Sequence, residues 1–243
     1  MQHFFVNPAS LQPQDGGFAD RIAITESDLI HQVSKVLRMR AGSRIALLDN
    51  SGNEFIVELL KFESKTIHAR LIEMRKNEAE AAIAITLFQA IPKSPAKFEE
   101  VLKHATEIGV VKFIPLISER VEVEGIRNRE RLEKIIREAA EQSERGKLPI
   151  LAEAVKWSDV WKNPPEDLNL IADSYSANPR LQDFFPALRE RKAVNLFIGP
   201  EGGFSEAEIK LAKAADGRNF SLGKRILRSE TAGVAIASAI LFG

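Results

Sequence analysis

Residues 199–208 read GPEGGFSEAE and follow directly on the apolar run AVNLFI, 193–198. Ser205 and Glu208 stand in the S-x-x-E relation of a capping box, which predicts a helix from about Glu206. The stretch is therefore a glycine-rich loop between a strand and a helix. Such loops usually present backbone amides to a phosphate, yet Glu201 at the centre of this one would repel a phosphate. Either the loop binds nothing or its ligand is not a phosphate. The spacing does not match G-x-G-x-x-G. GRNFSLGKR, 217–225, is not a Walker loop either, because five residues separate Gly217 from Gly223 and Arg225 follows the lysine. A nucleoside-like or cationic ligand suits Glu201 better, and S-adenosylmethionine has a ribose, a sulfonium and no phosphate.

Outward from this loop, strand and helix patterns alternate. AIAITLFQAI precedes a helix predicted from Pro95 to Ile108, with Ser94 as its cap, Phe98, Val101, Leu102, Ala105 and Ile108 as its apolar stripe and Gly109 as its end. VVKFIPLI precedes a second helix, from about Arg129 to Arg145, and LNLIAD and AVNLFI follow. This alternation predicts a parallel sheet flanked by helices, with the GPEGG loop at a strand's carboxyl end, where ligands bind in open α/β sheets. The terminal segment SLGKRILRSETAGVAIASAILFG passes from a basic, glycine-bearing loop into a helix without a polar face, which requires burial in a core or an interface. Residues 1–72 differ in texture: short alternating runs such as RIALLD and EFIVELL, broken by NSGN, predict a small β-rich module, a barrel. Residues 73–80 are the expected connector, and 81–243 the α/β domain.

Among the 243 residues there is no cysteine, which excludes disulfides and thiolate metal sites. The four histidines lack metal-ligand spacing, so no metal is expected. No run approaches the roughly twenty apolar residues that span a bilayer, nor is there a basic leader before an apolar core, so a cytoplasmic protein without membrane contact is expected. The formal net charge is zero, so any nucleic-acid partner must be met by a local patch. One such patch is Leu29–Leu48, which carries Lys35, Arg38, Arg40 and Arg44 and no acidic residue. It reads equally as a solvated basic helix end or as a set of phosphate contacts.

LFIGPEGGFSEAEI followed by LGKRILRSETA resembles the signature of the RsmE family, SPOUT-class methyltransferases of N3 of a uridine in 16S ribosomal RNA of the small ribosomal subunit. HQVSKVLRMRAG, FQAIPKSPAKFEEVLKHATEIGV, PLISER and REAAEQSERGKLP resemble further blocks of that family in the same order, so the likeness covers nearly the whole chain. The resemblance implies an N-terminal PUA-like β-barrel, a SPOUT α/β domain with a C-terminal trefoil knot, and a homodimer packed through the knot domain. It implies S-adenosylmethionine held by three loops, 172–174, 199–203 and 222–231, with Ala172, Ile198, Gly199, Pro200, Gly202, Gly203, Leu222, Gly223, Ile226, Leu227 and Thr231 around it. Arg228 is the expected stabiliser of the uracil oxygens, and Glu201 or Glu230 the expected proton acceptor. Glu230 reads equally well as a carboxylate favoured at a helix N-terminus. Lys35, Arg38, Arg40, Lys93, Lys97, Arg120 and Arg145 form the expected RNA track. Several positions depart from the family's usual letters: Gln2 and His3 stand at a start where arginine is usual before FFV, Glu144 stands for glycine, Lys224 for proline and Ser229 for threonine. A ribose 2′-hydroxyl methyltransferase of the same class and a non-catalytic RNA-binding or assembly protein are the competing readings.

Overall fold

Alternating apolar residues in the first eighty positions form a five-stranded sheet. Its strands are β1 (Gln2–Phe5), β2 (Arg21–Ile24), β3 (Arg44–Leu48), β4 (Asn53–Phe62) and β5 (Ile67–Lys76), in the spatial order β1-β3-β4-β5-β2. β1 and β3 run parallel, and the other neighbours are antiparallel. Phe4, Ile24, Ile45, Leu47, Val57, Leu59 and Ile67 close one core under this sheet, together with Leu29 and Val33. Leu29 lies on the short helix α1 (Ser27–His31), which continues through Gln32–Val36 as a widened π turn. Residues 73–76, expected in a connector, instead extend β5 as far as Lys76, where Asn53 is the cross-strand partner. The computed structural model describes residues 1–11, 21–173 and 178–243.

The first unit comprises Met1–Glu80 and also Ala140–Leu148, a segment from far along the chain. Ala140 packs with Phe5 and Leu48, Glu141 Oε1 accepts from the Phe5 amide at 2.9 Å, and Asn50 Oδ1 accepts from the Leu148 amide at 2.7 Å. Arg145 is only 2% exposed and donates through Nη2 to Glu80 Oε2 at 2.7 Å. Glu144 has φ 59°, a left-handed backbone that explains why glycine suits this position. Its Oε1 lies 3.6 Å from His3 Nδ1.

The second unit, Ala81–Ala139 with Pro149–Gly243, holds the predicted alternation. Its elements are β6 (Ala84–Ala90), α2 (Pro95–Ile108), β7 (Lys112–Ile117), α3 (Arg129–Gln142, whose end belongs to the first unit), β8 (Ile150–Leu151), β9 (Val155–Lys156) and α4 (Trp157–Val160). They continue with β10 (Leu168–Ala172), α5 (Phe185–Arg189), β11 (Ala193–Ile198), α6 (Glu206–Ala214), β12 (Arg218–Phe220) and α7 (Ser229–Phe242). The sheet is parallel throughout, in the order β12-β10-β11-β6-β7-β8, with β9 also on β7. α3 ends at Gln142, short of the expected Arg145, and the left-handed Glu144 follows that end. Ser94 occupies the position before α2 but makes no side-chain capping bond. α7 packs on α2, β6 and β11. Gly233 permits this approach: a Cβ there would stand 3.1 Å from Gln89 Oε1 and 3.4 Å from Leu87.

Candidate active site

β10, β11 and β12 are adjacent, so the loops that leave their carboxyl ends gather at one rim of the sheet. These are the three expected loops, although Ser174 of the first lies outside the described residues. The second loop is pinned at both ends. At its start, Ser229 Oγ donates to the Gly199 carbonyl at 2.6 Å and accepts from Gln89 Nε2 at 2.9 Å. Gln89 is 1% exposed, and its Oε1 has no hydrogen-bond partner. At its far end the capping box forms as predicted, with Ser205 Oγ accepting from the Glu208 amide at 3.2 Å and Glu208 Oε2 accepting from the Ser205 amide at 2.8 Å. The other oxygen, Glu208 Oε1, accepts from the Glu119 amide at 2.8 Å. One buried carboxylate thereby ties the segment after β7 to the glycine loop. Arg120 of that segment donates to the Gly202 carbonyl.

One glycine of the second loop and one of the third leave space beside the backbone. Gly203 has φ 69° and Gly223 φ 104°, and a Cβ at either would meet nothing within 4 Å. The left-handed backbone selects glycine at both positions. In the third loop Leu222 and Ile226 are exposed, whereas Leu227 is half-buried. Ile198 and Pro200 are buried beneath the second loop, and Thr231 is exposed on the first turn of α7. Ala172 closes β10 opposite Phe220 of β12. The neighbouring Asp173, absent from the expected set, accepts through Oδ2 from Asn178 Nδ2 at 2.9 Å and from Asn219 Nδ2 at 3.1 Å.

The expected catalytic carboxylates meet at a lysine. Lys97 Nζ lies 3.2 Å from Glu230 Oε1 and 3.5 Å from Glu201 Oε1, while Arg228 Nη1 lies 4.0 Å from Glu230 Oε1. Burial pushes the Glu230 carboxyl up. The bond from its own backbone amide, the Lys97 ammonium and the Arg228 charge outweigh that effect and hold it below the ordinary carboxylate range. Its Oε2 is buried and has no hydrogen-bond partner. A carboxylate so stabilised is a poor proton acceptor. Glu201 is exposed, and Arg228 has 81% of its side chain exposed.

The expected RNA track divides. Arg145 is buried against Glu80 and leaves the track, because a guanidinium already desolvated and paired has no face for a phosphate. Lys97 serves the two glutamates, Arg120 bonds the glycine loop, and Lys93 lies 2.6 Å from Glu122. Lys35, Arg38 and Arg40 are exposed, and among the described residues none of them pairs with a carboxylate. Sequence reasoning missed Gln89, Ser229 as a bridge and the second bond of Glu208. The one signal for Gln89 was a polar residue inside the run AIAITLFQAI. Among the described residues no His, Cys, Asp and Glu side chains cluster as for a metal ion, and no helix is long and apolar enough to cross a membrane.

Comparison with known proteins places both units. Residues 79–241 match the model of an RNA methyltransferase domain, and residues 34–72 match that of an RNA methyltransferase PUA domain. A ribosomal RNA small subunit methyltransferase E from Synechocystis is 35% identical over 214 residues, which cover 87% of this chain and 69% of that protein. The protein of the same name from Rickettsia conorii is 31% identical over 225 residues, 92% of this chain and 91% of that one. The crystal structure of a ribosomal RNA small subunit methyltransferase E from Neisseria gonorrhoeae bound to S-adenosyl methionine superposes with a TM-score of 0.85 at 28% identity, covering 99% of this chain and 96% of that one. With its strand-end loops, its PUA match and these relatives, the chain belongs to the RNA methyltransferase family of the ribosomal RNA small subunit methyltransferases E.

Proposed function

We propose that this protein methylates N3 of a uridine in 16S ribosomal RNA with S-adenosylmethionine as donor. The observation that carries the reading is the rim of three loops at the ends of β10, β11 and β12, pinned at its edges and open at Gly203 and Gly223. Open glycine backbone beside the exposed apolar Leu222 and Ile226 suits a nucleoside without phosphates, and Glu201 suits a cation. Bound there, S-adenosylmethionine supplies an electrophilic sulfonium methyl. Ala172, Ile198, Gly199, Pro200, Gly202, Gly203, Leu222, Gly223, Ile226, Leu227 and Thr231 would hold it.

The protein's own task is then to make an imide nitrogen nucleophilic. Uracil N3 carries a proton near neutral pH, and its loss spreads charge onto the flanking carbonyl oxygens. Arg228 donates charge-assisted hydrogen bonds to those oxygens. Glu201 accepts the proton, directly or through water, because it is the exposed member of the carboxylate pair. Glu230 holds Lys97 in place. Lys35, Arg38 and Arg40 grip phosphates and position the RNA without reading its sequence. In this reading the first sheet closes as a PUA-like barrel, the strand-end loops are tied in a trefoil knot, and two copies pack through α7 in the cytoplasm. The exposed Phe242 at the end of α7 supports that packing.

Nucleoside mass spectrometry of small-subunit ribosomal RNA, from cells with and without the protein, tests the reaction. Loss of 3-methyluridine alone is the expected result. Loss of a 2′-O-methyl mark would replace N3 by the ribose, and an unchanged profile would reduce the protein to a binding role. Arg228→Ala should slow single-turnover methylation about a hundredfold or more with cofactor affinity retained. A wild-type rate would remove Arg228 from the chemistry.

A further inference from the structure

Leu29 and Val33 point into the core of the first unit from successive turns of one helical segment. On a regular α-helix, positions 29, 33, 36 and 37 share a face, so Val36 and Leu37 would be buried beside them. They are instead 63% and 37% exposed. The cause is the widened turn at Gln32–Val36, where the Leu37 amide donates to the Gln32 carbonyl at 2.8 Å, five residues back. That extra residue per turn rotates the two apolar side chains off the core face. Such turns recur at functional sites. The next residue, Arg38, has φ 51°, a left-handed backbone that glycine adopts far more readily. The chain thus places two aliphatic side chains in solvent between Lys35 and Arg38, with Arg40 close behind.

We propose that Val36 and Leu37 form an apolar contact for an unstacked nucleotide of the RNA, whose flanking phosphates are held by Lys35, Arg38 and Arg40. This rests on the reading that the first unit grips RNA. The charge pattern names the occupant: Lys35 and Arg38 flank the apolar pair in sequence, Arg40 follows two residues on, and among the described residues none of the three pairs with a carboxylate, which suits a base whose neighbours carry phosphates. Sequence-tolerant contacts to single-stranded RNA combine a basic track with side chains that pack on the bases, most often aromatic rings; Val36 and Leu37 would supply aliphatic van der Waals contact in their place.

The test is the binding of 16S ribosomal RNA to the full chain at several salt concentrations, for Val36→Ser with Leu37→Ser and, separately, for Arg38→Ala with Arg40→Ala. The apolar double variant should bind about tenfold more weakly at every salt concentration, with the slope of log K against log salt unchanged. The arginine double variant should flatten that slope by roughly 1.4 to 1.8. Val36→Leu should bind as the wild type does. Wild-type affinity in the serine variant, or a salt slope changed as in the arginine variant, overturns the apolar contact. So does serine-dependent loss of self-association without RNA, measured by sedimentation, which would assign the tip to a second copy of the chain. A slope unchanged in the arginine variant removes the phosphate grip itself, and the apolar contact with it.

Discussion

Replacing Ser229 by valine removes one hydroxyl that serves two groups. The Gly199 carbonyl loses its donor at 2.6 Å, and Gln89 Nε2 loses its acceptor at 2.9 Å but keeps the Ala90 carbonyl at 3.2 Å. Each buried polar group left without a partner costs about 1–3 kcal/mol. Counting the carbonyl in full and the amide in part gives about 2 kcal/mol. Where this cost falls depends on what the bridge does. If it holds the second loop in the form that takes the methyl donor, the loss falls on S-adenosylmethionine, about thirtyfold in affinity. If it only cements α7 to the sheet, the loss falls on stability, about 4–8 °C in midpoint for a chain of this size. Calorimetric titration with S-adenosylmethionine and thermal unfolding of the apoprotein separate the two, and the loop-holding role predicts the first. Ser229→Thr keeps the hydroxyl and should restore affinity. Wild-type affinity in the valine variant would refute the idea that this bridge shapes the loop.

Gly202→Val should abolish S-adenosylmethionine binding while leaving the fold intact, since a Cβ there meets only the flexible Arg120 side chain, at 3.2 Å; calorimetry on the folded variant checks it. Glu208→Ala strips the acceptor from the Glu119 and Ser205 amides and should cost about 3 kcal/mol. The thermal midpoint should fall by about 6–12 °C, with Glu208→Gln recovering part of it. Glu230 has a depressed carboxyl, so its stabilising effect is complete above the ordinary carboxylate range and is lost only as pH falls through its lower folded value. The acid limb of a methylation pH profile should therefore be the same in Glu230→Gln as in the wild type above about pH 5, whereas a base role for Glu230 would shift it.

The parallel sheet was legible because β6, β7, β10 and β11 are apolar runs separated by amphipathic helices, a local pattern. The Ser205–Glu208 box was legible for the same reason: both partners lie within one turn. What escaped is long-range. Gln89 and Ser229 are 140 residues apart, Glu119 and Glu208 are 89 apart, and no periodicity links them. Arg145 and Lys97 looked like free surface cations because charge in a sequence carries no record of its partner; Glu80 and the Glu201–Glu230 pair claim them. The widened turn after α1 was invisible for a different reason: Leu29, Val33, Val36 and Leu37 fit an ordinary helix, and the departure exists only in the backbone.

The contact between His3 and Glu144 couples two distant stretches of the first unit. Both residues replace a family letter, and they lie 141 positions apart, yet their side chains approach to 3.6 Å. Glu144 keeps the left-handed backbone that a glycine would occupy without strain, and its carboxylate faces a buried imidazole. The two departures are therefore neighbours in one site. Glycine at position 144 would relax the backbone and leave His3, among the described residues, with Glu54 alone as a carboxylate neighbour, at 3.6 Å. Arginine at position 3 would place a longer cation where His3 is now buried. Substitutions at positions 3 and 144 should therefore have non-additive effects on stability, readable in a double-mutant cycle although 141 positions separate them.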